Sequence, residues 1–439
     1  MFGNSALAAL ILAAMSAVGA TPAAAQVAVV SSDAAVARFY YARQNAPLWF
    51  RAGSNSEAAT QLVSILRSAD VDGYSAGPQL AGQVEAAILA AQSGDKAKIM
   101  AAERLLSSAW ANYVQAIYSP TTGMLYGYQL SRVPNPDRIL YEAANAPSLT
   151  QHLQLISSVN PIYAQLRAAA LAQPAGMGPD PRLLANMDRA RSIPRNGRFV
   201  LVDAASARLW MYENGQPVDS MKVIVGTIET PTPMLASMIH YATLNPYWNV
   251  PENLIRKTVA PGAVKNGEAY LKAQGYQVMS DWTANATVIP GDQIDWKAVA
   301  AGQKIIRVRQ LPGPTNAMGK LKFSFPNSQD IFLHDTPARE HFAKAQRTIS
   351  NGCIRLEDAK RFARWLLGRE PEAMGTDPEQ FVKLPQGVPV YVTYLTAFPS
   401  EGKIVFADDV YGLDMKASRI ASRAPFPTVE GANPPQAAR

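Results

Sequence analysis

Residues 198–226 read RFVLVDAASARLWMYENGQPVDSMKVIVG, and the fold is decided there. Arg198–Asp203 (RFVLVD) and Arg208–Tyr212 (RLWMY) are short runs rich in β-branched and aromatic side chains. Asn214-Gly215 follows them, the strongest local signal for a tight hairpin. Ser220–Val225 (SMKVIV) is a third run, ended by Gly226. Strand-like runs return at 237–245, 304–310, 320–325, 330–334 and 388–395. The C-terminal half therefore predicts a mainly β domain, with alternation that buries one face of its sheets. Between 249 and 303 the pattern is interrupted. Residues 251–275 read as helical, divided by Pro261-Gly262, and an insertion of that length predicts a lid or binding loop.

Upstream of Pro194 the period changes to that of helices. Within 97–118, Ile99, Ala102, Leu106, Ala109, Tyr113 and Ile117 recur every three or four residues, one buried stripe stopped by Pro120. A second such segment spans 149–171, bent or split by Pro161. Phe39, Tyr40, Tyr41 and Trp49 form an aromatic cluster that could stack on sugars, although packing in a core is the commoner use.

The ends of the chain carry separate signals. Residues 6–20 are apolar but too short for a comfortable membrane span, and Ala23-Ala24-Ala25 suits signal peptidase, so residues 1–25 predict a cleaved signal peptide. The first five residues lack Lys and Arg, which keeps an uncleaved anchor as the alternative. With cleavage, no stable membrane span remains, and the protein is exported. Residues 398–414 read as a C-terminal extension and 415–439 as a disordered basic tail. The tail carries three of the seven net positive charges, so the charge balance gives no support to nucleic-acid binding. At 439 residues, 48% of them hydrophobic, the chain is long enough for two or three domains with large cores.

Cys353 is the single cysteine, which excludes an intrachain disulfide framework, zinc ribbons and cysteine-held iron–sulfur clusters. No metal-ligand spacing and no phosphate loop is present, and no cofactor is implied. Leu356, Ala359, Phe362, Ala363 and Leu366 predict a helix starting just after Cys353, where a helix N-terminus would stabilise a thiolate. The Gly352 and Cys353 N–H groups would then form an oxyanion hole. His334, ending a strand 19 residues upstream, is a base for the thiol, and Arg355 would hold a carboxylate or tune the thiolate. His341 is a rival base, within a short helix expected over 338–346. By chemistry alone, a buried inert thiol and a core histidine fit these residues equally well.

The ordered motifs add more. His334 and the run Ser350-Asn351-Gly352-Cys353-Ile354-Arg355 resemble the active-site signature of bacterial L,D-transpeptidases. Tyr212–Gly215, Val223–Gly226, Pro231–Pro233, Asn245–Pro251, Gly313–Gly319 and Phe332–Pro337 match further segments of that family. The resemblance is closest to the large Gram-negative branch with a capping insertion, and it implies an α+β architecture. A mainly helical scaffold domain would span 26–190, and a mainly β catalytic domain 195–397, with a helical lid at 249–303. The peptidoglycan-binding module common in that branch is missing here. Cys353 would attack the diaminopimelate–D-Ala bond of a donor tetrapeptide stem with His334 as base, and an acceptor diaminopimelate amine would resolve the thioester to a 3→3 cross-link. Ser350, Asn351, Gly352 and Arg355 would shape the site, and Asn316 would contact substrate, as would Tyr247 and Trp248 unless they serve core or hinge packing at the lid's start. Asn351 departs from many relatives, which have His there.

The partners so implied are peptidoglycan tetrapeptide stems, with peptidoglycan synthases or periplasmic regulators as possible companions. Three alternatives keep the fold but change the acceptor: water, a protein lysine or a free D-amino acid. A catalytically silent wall-binding protein is a further one. A papain-like protease is disfavoured, because there the cysteine precedes the histidine. Lys257, Lys265 and Lys272 on the insertion read as a solvated helix face.

Overall fold

A computed structural model describes residues 32–51, 56–127, 133–173 and 178–414. The expected signal peptide and basic tail lie outside the described residues. The first domain is helical: α1 (Ser32–Ala42), α2 (Glu57–Arg67), α3 (Gly77–Ala91) and α4 (Lys96–Ile117), then α5 (Pro136–Asn145), α6 (Leu149–Ser157), α7 (Pro161–Leu171) and α8 (Pro181–Ala190). A two-residue strand, β1 (Leu125–Tyr126), lies between α4 and α5. The α4 stripe is as its period demands, with Ala102, Leu106, Ala109, Tyr113 and Ile117 all at 0% exposure. Pro161 splits the 149–171 segment by opening α7, a position where its missing N–H costs nothing, and the Asn160 side chain caps the new helix at Tyr163 N.

Two buried carboxylates fix this domain. Glu103 accepts hydrogen bonds from the backbone N–H groups of Leu48, Trp49 and Phe50 and from the Tyr40 hydroxyl. Asp72 accepts from Tyr113, Tyr163 and Arg167. Each buried charge is thus repaid by several donors. The aromatic cluster divides accordingly: Tyr40 and Trp49 are core, Phe39 packs against them, and Tyr41 is 87% exposed.

The second domain contains β2 (Phe199–Asp203), β3 (Arg208–Glu213), β4 (Gln216–Gly226) and β5 (Leu235–Leu244). The insertion follows, with β6 (Trp248–Asn249), α9 (Glu252–Leu254), α10 (Ala260–Gln274), β7 (Tyr276–Met279), β8 (Val288–Ile289), α11 (Trp296–Ala300) and β9 (Arg307–Gln310). The chain then returns through β10 (Leu321–Ser324), β11 (Phe332–His334), β12 (Thr348–Ser350), β13 (Ile354–Leu356), α12 (Ala359–Leu367) and β14 (Gln380–Thr393). A hairpin of β15 (Ala397–Ser400) and β16 (Lys403–Phe406) ends the described domain. Pairing runs β5-β10-β11-β13-β4-β3-β2-β14, and β14 pairs again with β5, so the sheet closes on itself.

One expectation fails here. The alternation predicts one buried face, yet every residue of β2 is buried. Val200 and Val202 join the core beneath α12, while Phe199 and Leu201 join the helical domain's core. The scaffold covers the face that would otherwise meet water.

The insertion folds as a unit. β6, β9, β7 and β8 form a separate four-stranded sheet over a core of Val250, Ile255, Val259, Leu271, Val278, Trp296 and Val308. It therefore reaches Gln310, past the expected end at 303, because the 304–310 run pairs inside the lid. The expected break at Pro261-Gly262 is also displaced. Pro261 sits in the first turn of α10 after a π-helical turn, Ile255–Val259, and the non-helical backbone falls at Gly267 (φ 58°).

Candidate active site

Three neighbouring strands build the site by register. β11 runs antiparallel to β10, with His334 opposite Lys322. It runs parallel to β13, with His334 opposite Arg355 and Leu333 opposite Ile354. Because side chains alternate, Leu333, Ile354 and Leu356 enter the core, while Phe332, His334, Cys353 and Arg355 face the other way. There they line a cavity of about 670 Å³, bordered on the lid side by Tyr247, Trp248, Trp282 and Arg307.

His334 is buried, and its Nδ1 lies 2.6 Å from the Asp335 carbonyl oxygen. Since a carbonyl can only accept, Nδ1 carries the proton and Nε2 is left as an acceptor. Burial first, and then the Arg355 charge, hold the imidazole down to about 3, so it is neutral. Burial pushes the Cys353 thiol the other way, up to about 11, against the opposing pull of the Phe332 N–H, Lys322 and Arg355. The half-buried thiol lies 3.7 Å from the Asp330 carbonyl oxygen.

The helix expected to begin beside Cys353 does not. Residues 354–356 are drawn into β13 between β11 and β4, and α12 starts only at Ala359, capped by Asp358. The N-terminus of α12 therefore lies six residues beyond the thiol, after a strand. The expected oxyanion hole is altered too, because the Gly352 N–H donates to Ser350 Oγ at 3.1 Å. Ser350 Oγ in turn donates to the Cys353 carbonyl at 2.6 Å, closing a tight loop in which Gly352 takes φ 105°. From below, Thr232 Oγ1 donates to the Gly352 carbonyl at 2.7 Å, and the Tyr411 hydroxyl donates to the Gly226 carbonyl at 2.7 Å.

The remaining candidates separate. Asn351 is exposed on the cavity wall. Tyr247 and Trp248 are half-buried on it, with the Arg309 guanidinium 4.2 Å from the Tyr247 ring centre. Asn316 is not placed to contact substrate. It is fully buried, its Nδ2 donates to the carbonyls of Pro246, Gln310 and Leu311, and its Oδ1 accepts from Met318 N. It ties together the two strands of chain by which the lid leaves and rejoins the body. His341 lies on a 3₁₀ turn, Arg339–Ala343, off the cavity. Lys257, Lys265 and Lys272 are exposed. Among the described residues, no group of three His, Cys, Asp or Glu could hold a metal. No described helix is long and apolar enough to cross a membrane.

The sequence reading missed Lys322, Trp282, Arg307 and Tyr411, and named Phe332 only within the Phe332–Pro337 motif. The alternation in Leu321–Ser324 was the only available signal for Lys322, and nothing local announced the others.

Comparison with known proteins decides the family. Residues 197–392 match the model of the L,D-transpeptidase catalytic domain, and residues 34–169 match a scaffold domain. The chain carries an L,D-transpeptidase catalytic domain. A Haemophilus influenzae protein named "Putative L,D-transpeptidase" is 28% identical over 395 residues, covering 86% of this chain and 78% of that protein. Among solved structures, an L,D-transpeptidase from Mycobacterium smegmatis is 12% identical, over 45% of this chain and 59% of that one, with a TM-score of 0.23. A mutant L,D-transpeptidase from Enterococcus faecium is 10% identical, over 46% of this chain and 51% of that one, with a TM-score of 0.22. This chain thus spans less than two thirds of those structures' length. In the L,D-transpeptidase domain here, Cys353 and His334 share one cavity wall.

Proposed function

We propose that the protein is a peptidoglycan L,D-transpeptidase working in the periplasm. The observation that carries this reading is that one cavity is lined by both a half-buried thiol and a neutral imidazole whose Nδ1–H is held by a backbone carbonyl. As the Cys353 sulfur attacks the carbonyl between diaminopimelate and the terminal D-Ala of a donor tetrapeptide, its proton passes to His334 Nε2. The tetrahedral oxyanion is met by the Cys353 N–H, since that of Gly352 is committed to Ser350. Collapse breaks the peptide bond, and the proton on Nε2 goes to the departing D-Ala amine. The diaminopimelate amine of a second stem then attacks the thioester, loses its proton to His334, and expels the thiol. A 3→3 cross-link results. Tyr247 and Trp248 would flank the bound stem from the lid side.

Intact mass after exposure to a carbapenem, an acyl-donor mimic, tests the nucleophile. A covalent adduct is expected, absent from Cys353→Ala. No adduct on the folded native protein would overturn the reading. Feeding disaccharide-tetrapeptides then identifies the acceptor: 3→3 dimers mean transfer to a stem, and tripeptide alone means hydrolysis.

A further inference from the structure

Lys322, His334 and Arg355 are Cα partners in one row across β10, β11 and β13, with the imidazole in the middle. Adjacent strands stand about 4.8 Å apart, so the two cations straddle the histidine at close range. Both line the cavity. Lys322 Nζ is set 4.6 Å from the centre of the Phe332 ring, which fixes it over the site and not out in solvent. Neither cation has a carboxylate within ion-pairing distance among the described residues, although Asp330 and Glu252 line the same cavity. Two part-buried cations without a counter-ion beside a neutral histidine describe an anion site.

Resting on the transpeptidase reading, we propose that Lys322 and Arg355 form a carboxylate site straddling His334, in which Lys322 takes the free C-terminal carboxylate of the donor's departing residue. Strand order assigns the halves. The acyl carbon is bound by Cys353, immediately before β13, and the amine that leaves must meet His334 on β11. The leaving residue therefore extends from β13 across β11 toward β10, where Lys322 stands. Its carboxylate is two bonds from that amine, within reach of a lysine beside the imidazole. Arg355, two residues after Cys353, is left to the acyl half of the donor. Lys322 is then a specificity residue: it favours a stem ending at the fourth residue with a free carboxylate and disfavours one that continues.

The test compares two donors, a disaccharide-tetrapeptide ending in D-Ala and the same compound ending in the carboxamide. Release of D-alanine or its amide is followed to obtain kcat and KM. The native protein should prefer the carboxylate by about 10- to 100-fold in kcat/KM, the worth of one charge-assisted hydrogen bond. Lys322→Met keeps the apolar stem against Phe332 and should bring the ratio to about one, chiefly through a raised KM. Lys322→Arg should restore most of it. Because the readout is a ratio within one protein, partial loss of folded enzyme leaves it unchanged. A native ratio near one, or an undiminished ratio in Lys322→Met, overturns the carboxylate site. If the native protein also takes no carbapenem adduct on Cys353, the transpeptidase reading falls with it. An adduct without discrimination between the donors removes the carboxylate site alone.

Discussion

Cys353 is held up to about 11 and His334 down to about 3, each chiefly by burial, so near pH 7 a neutral thiol and a neutral imidazole line one cavity. A preformed thiolate–imidazolium pair would need both shifts reversed. The proton must therefore move during attack, which is why the tautomer set by the Asp335 carbonyl matters more than a standing charge. The sign of the pH dependence follows. A raised thiol value means that the thiolate fraction grows tenfold per unit as pH climbs toward 11. Alkylation of Cys353 by iodoacetamide should thus accelerate continuously from pH 6 to pH 9, about tenfold per unit, without a plateau. A plateau below pH 8 would show a stabilised thiolate and contradict the burial seen here.

Among the elements, the lid is joined to the body through two buried amides, Asn316 and Gln310. Asn316 Nδ2 holds Pro246 at the lid's exit from the body and Gln310 and Leu311 at its return, while the Gln310 side chain holds Gln274, Thr315 and Ala317. Removing the Asn316 amide leaves several buried backbone groups unpaired, at about 1–3 kcal/mol. Asn316→Ala should therefore loosen the lid against the body and leave the helical domain unchanged. Hydrogen exchange should rise selectively over residues 248–310, and KM for the donor should rise more than kcat falls. Equal protection in both proteins would show that the lid's own core, and not its stalks, sets its position. The loop bearing Cys353 is anchored in a comparable way, by Ser350 from within and Thr232 from below.

For the whole molecule, the helical and β domains share one core. Phe199, Leu201, Tyr212, Ala236, Tyr391, Leu395 and Ala397 lie in the same apolar cluster as Tyr40, Leu106 and Trp110. Polar bolts cross the same interface: Arg189 donates to the Tyr394 carbonyl at 3.0 Å and pairs with Asp414 at 2.6 Å, and Arg182 donates to the Ala407 carbonyl. Each fully buried large side chain contributes roughly 1.5–3 kcal/mol, so separating the halves forfeits far more than an ordinary domain's margin. The catalytic half alone (195–414) should express as an aggregating or molten species, and the full chain should unfold in one calorimetric transition. Two separate transitions, or a well-folded 195–414 fragment, would contradict a shared core.

Period and punctuation determined much of this protein before any contact was known. The α4 stripe, the split at Pro161, the hairpin at Asn214-Gly215, the existence of a lid, and the chain order of His334 and Cys353 all follow from local rules that neighbouring residues obey. Only the tertiary structure decided the rest, because it depends on residues distant in sequence meeting. A helix expected beside Cys353 became β13 because two strands were waiting to pair with it. Asn316, read as a substrate contact, became a brace because the chain at both ends of the lid, residues 248–310, returns to it. Burial set the protonation of Cys353 and His334, and register alone placed Lys322 beside the imidazole. Side-chain alternation is local, but which strand lies alongside which is not, and the chemistry of this site lies in that second choice.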